Sequence, residues 1–230
     1  MTVPVVEARP AATAMALRET DQGIEVLMVH RPEGGFFGGL TVFPGGALDP
    51  EDESTLAGLV APGEVADRSY RIAALRELAE ETGIALTTEG PVRAPLAKGV
   101  ALLEALLEQG IQLDLEALTL VSRWVTPEYA PKRYDTRFYL ARAQDAPAVR
   151  LDAEELVAHV WVRPGEALHR HAAGEWDMFL PTVSHLRWLD LRVDVEDAIA
   201  SAQGADGRSL VQPRHMEDGS IVPVHLPGDP

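Results

Sequence analysis

The sequence predicts an α/β or α+β sandwich built as one large domain. Three observations predict it. Several short apolar runs are bounded by turn residues, which marks strands. The run from Arg68 to Thr82 has helical spacing and stops at Gly83, a common helix terminator. With 230 residues, 46% of them hydrophobic, the chain can bury a sizeable core while carrying an insertion and a tail.

The elements follow in chain order. Residues 11–17 and 24–30 are expected as strands joined by the polar turn Glu19-Thr20-Asp21-Gln22-Gly23. Gly34, Gly35, Gly38 and Gly39, interrupted by Phe36 and Phe37, make a loop able to approach a ligand closely, because glycine removes side-chain bulk. Residues 40–43 form a short strand that runs into Pro44-Gly45-Gly46, read as a sharp turn. Residues 49–67 are acidic and irregular, with one short helix. After the helix 68–82 comes a second helix, 97–109. Strands 118–126 and 136–143 flank a proline-interrupted loop, and 157–162 is a further strand. Residues 164–173 and 181–200 read as helices, the latter with a break. The segment 201–230 is a tail rich in Gly, Pro and Asp. Its turn Glu217-Asp218-Gly219, between 210–211 and 221–224, predicts a small hairpin. The domain is therefore placed at 1–200, with the insertion at 49–67.

Composition removes several function classes. There is no cysteine, so disulfides and thiolate zinc sites are excluded. The seven histidines are scattered and make no metal-protease spacing. The formal charge is −16, from 20 basic and 36 acidic residues, a surface that repels nucleic-acid backbones. A small phosphorylated substrate stays open, since carboxylates can bind Mg²⁺ or Mn²⁺ and the ion then attracts phosphate. No run approaches the roughly 18 apolar residues that span a bilayer. Met1 to Pro10 lacks a basic stretch followed by an apolar core, so no signal peptide is expected, and the expected location is cytoplasmic.

On a helical wheel, Ile72, Leu75, Leu78 and Ala79 share one face of the 68–82 helix, while Glu77, Glu80 and Glu81 share the opposite one. Three neighbouring carboxylates repel one another by a few tenths of a kcal/mol per pair, about what an exposed helix shows. The C-terminal helix dipole disfavours them further. A divalent cation reverses both costs, because hard cations take oxygen ligands. Glu-rich amphipathic helices are also common as plain solvated faces, so the helix by itself does not establish a site.

The context does more. Arg76, Glu77, Leu78, Glu80, Glu81, Gly83 and Ile84 match the second half of the Nudix signature, G-x5-E-x7-R-E-U-x-E-E-x-G-U, where U is a bulky aliphatic. Gly46, after Phe43-Pro44-Gly45, begins the first half. The chain thus resembles the Nudix hydrolases, and the resemblance implies an α/β/α sandwich with a mixed sheet and extra helices. One departure is clear. Arg76 follows Gly46 by thirty positions where the family has fourteen, so about sixteen residues are inserted. Counted forward from Gly46, the first signature Glu falls on Asp52; counted back from Arg76, it falls on Arg68. That Glu is left unassigned. Phe43 to Asp52, Tyr70 to Glu77, Trp124-Val125-Thr126-Pro127, Arg133 to Tyr139, Trp161 and Leu180-Pro181-Thr182 resemble a subgroup that includes peroxisomal coenzyme A diphosphatases and bacterial relatives.

The resemblance implies metal-dependent hydrolysis of a pyrophosphate bond in a nucleoside diphosphate linked to another group. It implies Glu77, Glu80 and Glu81 as metal ligands or their near neighbours, with the carbonyl of Gly46 or Gly45 beside them and Mg²⁺ or Mn²⁺ as cofactor. Arg76 is expected to orient a carboxylate through a bidentate pair. The general base is Glu77 or a loop residue, Glu154 or Glu155. Phe36, Phe37, Trp124, Tyr129 and Tyr134 could stack on a base or line an acyl pocket, though aromatics mostly serve packing. Arg31, Lys132, Arg133 and Arg137 could meet phosphate. Arg133, Arg137, Phe37 and Trp124 are the preferred substrate contacts. The substrate is a small nucleotide, with coenzyme A or acyl-CoA suggested by the subgroup and ADP-ribose, NADH or a nucleotide sugar as alternatives. In the coenzyme A signature of related enzymes an Arg precedes a Gly; here Gly39 keeps the Gly, and Gly35 stands at the Arg. A non-catalytic nucleotide-binding module is the alternative outside enzymes. Many relatives are dimers, which makes a homodimer a candidate assembly.

Overall fold

A computed structural model describes residues 5–34, 38–53, 58–61, 65–152, 155–204, 210–211 and 226. The long hairpin comes first: β1 (Arg9–Thr20) and β2 (Gly23–His30) pair antiparallel in the register Leu17↔Val26. β1 also pairs in parallel with β8 (Tyr134–Arg142), from Arg9↔Tyr134 to Leu17↔Arg142. β7 (Leu118–Val125) lies antiparallel on the far side of β8. β9 (Ala158–Val162) and the short β3 (Thr41–Val42) both pair with β2. The result is a mixed sheet of eight strands.

Alternation along these strands divides the core in two, because successive side chains leave opposite faces of a sheet. Ala12, Ala14 and Ala16 of β1, with Tyr139 and Ala141 of β8, face one cluster. Met15 and Leu17, with Phe138 and Leu140, face the other. The first face is covered by α2 (Arg68–Thr82) and α3 (Gly99–Glu108), and the second by α4 (Pro164–Ala172), α5 (Leu180–Asp190) and α6 (Val195–Gly204). This is the expected α/β/α sandwich. Alanines on both β1 and α2, including Ala73 and Ala74, let helix and sheet approach closely.

The helix of the signature spans the residues expected of it and stops at Gly83, whose φ of 70° and N–H bond to the Ala79 carbonyl make a left-handed cap. It is buried more widely than its wheel predicts. Arg76 and Glu81 are each only 1% exposed. Part of the acidic insertion also joins the core. Leu59 and Val60 are core residues, and Leu59 and Ala61 exchange backbone bonds with Leu113 at 2.8 and 3.0 Å. The only helix described in the insertion is α1 (Pro50–Glu53).

Several sequence expectations change. Pro44-Gly45-Gly46 is not simply a turn: Gly45–Ala47 forms β4, paired to Ala11–Thr13 of β1. The hairpin of β5 (Ile84–Thr87) and β6 (Gly90–Arg93) was not anticipated from the sequence. The expected break in the helix 181–200 is real, and it separates α5 from α6. In the tail, Leu210–Val211 forms β10, which joins β7 in parallel, while residues 221–224, the other arm of the expected hairpin, lie outside the described residues.

Candidate active site

Three segments distant in sequence meet at the C-terminal half of α2. They are β4 with the residues before it, α1, and the loop that precedes β9. The loop is held by backbone bonds: the N–H of Arg150 donates to the Thr82 carbonyl at 2.8 Å, and that of Asp152 to the Glu81 carbonyl at 3.4 Å. These carbonyls end the helix and need external donors.

Arg76 is the hub. Its Nε and Nη2 donate to the two oxygens of Asp52, each at 2.9 Å. Nη2 also meets the Ala47 carbonyl at 3.1 Å, and Nη1 donates to Glu77 at 2.9 Å and to Glu80 at 3.3 Å. Burial alone would make this guanidinium easier to deprotonate. The Asp52 bond and the charges of Glu77, Asp52 and Glu80 outweigh it and raise its pKa. Asp52 is 1% exposed and also accepts the Asp49 N–H at 2.9 Å. Asp52 is the position reached by counting forward from Gly46, and it is the one of the two candidate positions that meets Arg76.

Each helix carboxylate has a separate environment. Glu80 accepts the Gly99 N–H at the start of α3, at 2.7 Å. Glu77 packs over Gly46, where an added Cβ would lie 2.4 Å from its Oε1. Glycine at that position therefore makes room for a carboxylate. Glu81 accepts the Gly45 N–H at 3.0 Å and Nη2 of Arg31 at 3.1 Å, and the same Arg31 nitrogen donates to the Gly45 carbonyl at 3.1 Å. Burial pushes Glu77 up to about 7 against the pull of Arg76, and Glu81 up to about 8 against that of Arg31. Burial also raises Glu80. Glu155 adds negative charge to all three. Its own side chain is 45% exposed and pairs with Lys98 at 2.9 Å; Lys98 also pairs with Asp152.

Among the described residues no three acidic or imidazole groups converge closely enough to cage a metal as they stand. The donor set nevertheless suits a hard divalent cation. It consists of carboxylate oxygens and a backbone carbonyl, and the carboxylates carry a burial cost that a cation would offset. Arg76 and Arg31 occupy carboxylate oxygens that a cation would use.

Beside this cluster opens a cavity of about 350 Å³. Its walls include Phe43, Phe138, Phe179, Tyr134, Val42 and Pro181, with hydroxyls from Thr13, Thr126, Thr136 and Thr182, and with Gly45, Gly46 and Arg31 at the carboxylate end. Of the preferred substrate contacts among the described residues, Arg133, Arg137 and Trp124, none lines this wall. Arg133 is 9% exposed and donates to the carbonyls of Thr126 and Val6 at 3.0 and 2.6 Å, fastening the start of β1. Arg137 pairs with Asp67 at 3.2 Å and lies 3.3 Å over the Tyr70 ring. Strand parity accounts for it: Tyr134, Thr136 and Phe138 face the cavity, so Arg137 faces α2. Trp124 is 3% exposed and donates its Nε1–H to Ser122 at 3.0 Å within the second core. Phe37 lies outside the described residues, as does Glu154. Tyr129 is exposed at 69%. Arg31 and Tyr134, which the sequence offers only as members of a longer group, do line the cavity. Phe43, Phe138 and Phe179 carry no sequence signal beyond their apolar type.

Comparison with known proteins identifies the family of the fold. Residues 7–180 match the NUDIX domain family. A crystal structure of a NUDIX hydrolase from Alicyclobacillus acidocaldarius is similar, with a TM-score of 0.72 and 34% identity. That match covers 84% of this chain and 96% of the other. A Caenorhabditis elegans protein bearing the name nudix hydrolase 7 is 28% identical over 190 residues, 77% of this chain. A human acyl-coenzyme A diphosphatase is 28% identical over 207 residues, 64% of this chain. The matches span 59% and 55% of the lengths of those two relatives.

Proposed function

The chain belongs to the Nudix hydrolase family, and from that premise we propose that it cleaves the pyrophosphate bond of a nucleoside diphosphate joined to a second group, using a divalent metal ion, with coenzyme A or an acyl-CoA as the substrate class. The observation that carries this reading is the carboxylate group of the partly buried Glu77 and Glu80 and the buried Glu81, which adjoins a largely apolar cavity through Gly45, Gly46 and Arg31. The cavity wall has aromatic and aliphatic surface and hydroxyls, with no acid or amide side chain among the described lining residues to read a base edge. Such a wall suits an apolar arm like that of an acyl-pantetheine more than a second polar sugar. The similarity to the human acyl-coenzyme A diphosphatase points the same way.

Glu77, Glu80, Glu81 and the Gly45 carbonyl would hold Mg²⁺ or Mn²⁺. When bound, the ion supplies positive charge to the diphosphate oxygens and acidifies the attacking water. Arg76 keeps Glu77 and Glu80 oriented, and Asp52 keeps Arg76 in place. Glu155 is the proposed general base, because it lies near the other three carboxylates and is the most exposed of the four. It takes the water proton while the water oxygen bonds to one phosphorus, and the anhydride P–O bond breaks with its electron pair leaving on the other phosphate. General-base help of this kind is worth roughly 10²- to 10⁴-fold in rate.

The test is hydrolysis of a panel of coenzyme A, acyl-CoAs, ADP-ribose, NADH and nucleotide sugars with Mg²⁺ or Mn²⁺, with the phosphorylated products identified. Coenzyme A or an acyl-CoA is expected to turn over fastest. Glu81→Gln should abolish turnover with the fold retained, and Glu155→Gln should slow it while metal titration stays normal. Wild-type rates in Glu81→Gln would remove the metal-site assignment. Ligand binding without turnover of any panel member would instead make the protein a binding module.

A further inference from the structure

Arg31 occupies an unusual place. Its backbone is fixed just beyond β2 by an N–H bond to the Leu40 carbonyl at 3.0 Å. Its Nη2 stands between the Gly45 carbonyl and Oε1 of Glu81, 3.1 Å from each. These are two of the oxygens proposed above for a divalent cation. Arg31 is also the only charged side chain among the described residues lining the cavity. Its side chain is 25% exposed, whereas that of Glu81 is 1% exposed, so the arginine has free space on one side and the glutamate does not.

A divalent ion held by these oxygens would compete with the guanidinium nitrogen for them and would repel its charge. The arginine and the ion therefore exclude each other. Glu81 is fixed by the Gly45 N–H and cannot follow the arginine away. The arginine has a long flexible stem and an open cavity beside it.

We propose that Arg31 is an exchangeable internal cation: it pairs with Glu81 and donates to the Gly45 carbonyl in the metal-free protein, and on metal binding it turns into the cavity and becomes the receptor for a substrate phosphate. This deepens the hydrolase reading above and rests on its metal site. The consequence is an order of binding. Before the metal arrives Nη2 of Arg31 is held by Glu81 and the Gly45 carbonyl, so the guanidinium cannot turn both of its amino nitrogens to a phosphate as a fork. Afterwards the displaced guanidinium, with its fork of donors, faces the phosphate end of the cavity.

The test uses ADP as a diphosphate probe, titrated into wild type and Arg31→Met, once with excess chelator and once with saturating Mn²⁺, alongside thermal unfolding of both proteins. Loss of one charge-assisted contact predicts that Arg31→Met weakens ADP binding by roughly tenfold or more when Mn²⁺ is present. With chelator the two proteins should bind ADP equally weakly. Equal weakening in both conditions would overturn the exchange, because Arg31 would then be available throughout. No weakening in either would overturn its role as receptor. Failure of wild type to bind Mn²⁺ at all would overturn the exchange together with the metal site, while panel hydrolysis separately decides the hydrolase reading. Arg31→Gln keeps a donor for the Gly45 carbonyl and carries the same test if Arg31→Met fails to fold.

Discussion

Asp52 holds Arg76 through both of its oxygens at 2.9 Å, and both residues are 1% exposed. Removing one member of a buried ion pair leaves the other charge uncompensated, which costs about 3–5 kcal/mol. Here Glu77 and Glu80 still share Arg76, so Asp52→Ala should fall near the lower end, a loss of about 3 kcal/mol. Chemical denaturation checks it. Asp52 also orients the arginine that orients two carboxylates, so the same variant should weaken Mn²⁺ binding under folding conditions. Unchanged stability would mean that Asp52 does not replace the signature glutamate. The sequence leaves that glutamate between Asp52 and Arg68, since the insertion breaks the count. The contact with Arg76, 24 residues further on, favours Asp52.

Between strands and helices the same logic runs through a buried polar chain. Nδ1 of His185 contacts the Pro181 carbonyl at 2.7 Å. A carbonyl only accepts, so Nδ1 carries the proton and Nε2 accepts from the Ser122 hydroxyl at 2.8 Å. Ser122 in turn accepts from Trp124. Burial lowers His185 to about 4, which keeps the ring neutral, and the ring stacks on Phe138 at 4.3 Å. β7 and α5 are joined in this way behind the cavity wall. Ser122→Ala leaves two buried polar atoms without their partner, so a loss of about 1–3 kcal/mol is expected. In a domain of this size each kcal/mol lowers Tm by roughly 2–4 °C. A calorimetric Tm equal to wild type would show the chain to be dispensable. Trp124 and Pro181, singled out in the sequence by resemblance, are thus linked through Ser122 and His185, while Pro181 and Thr182 also line the cavity.

Across the whole molecule, the raised carboxylates make stability depend on pH. Glu77 and Glu81 titrate near 7 and 8 in the folded protein against 4.5 ordinarily. Between those values the folded state binds more protons than the unfolded state, so stability falls as pH rises. His185 acts oppositely, but only between about 4 and 6.5, where the unfolded imidazole takes up a proton and the folded one does not. Metal-free protein should therefore lose Tm between about pH 6.5 and 8.5, and saturating Mg²⁺ should reverse that loss by binding the folded state. A flat or rising Tm in chelator over that range would contradict the burial of these groups. The sequence by itself determined the family, the helix 68–82 with its cap, and the identity of its three carboxylates, because all of these are read from local spacing. Only the tertiary structure decided that Asp52 meets Arg76, that Arg31 bridges Glu81 and Gly45, and that Arg137 faces α2 rather than the cavity. Those outcomes depend on strand register and on residues far apart in sequence, and a change of one residue in register would send every side chain of a strand to the other face.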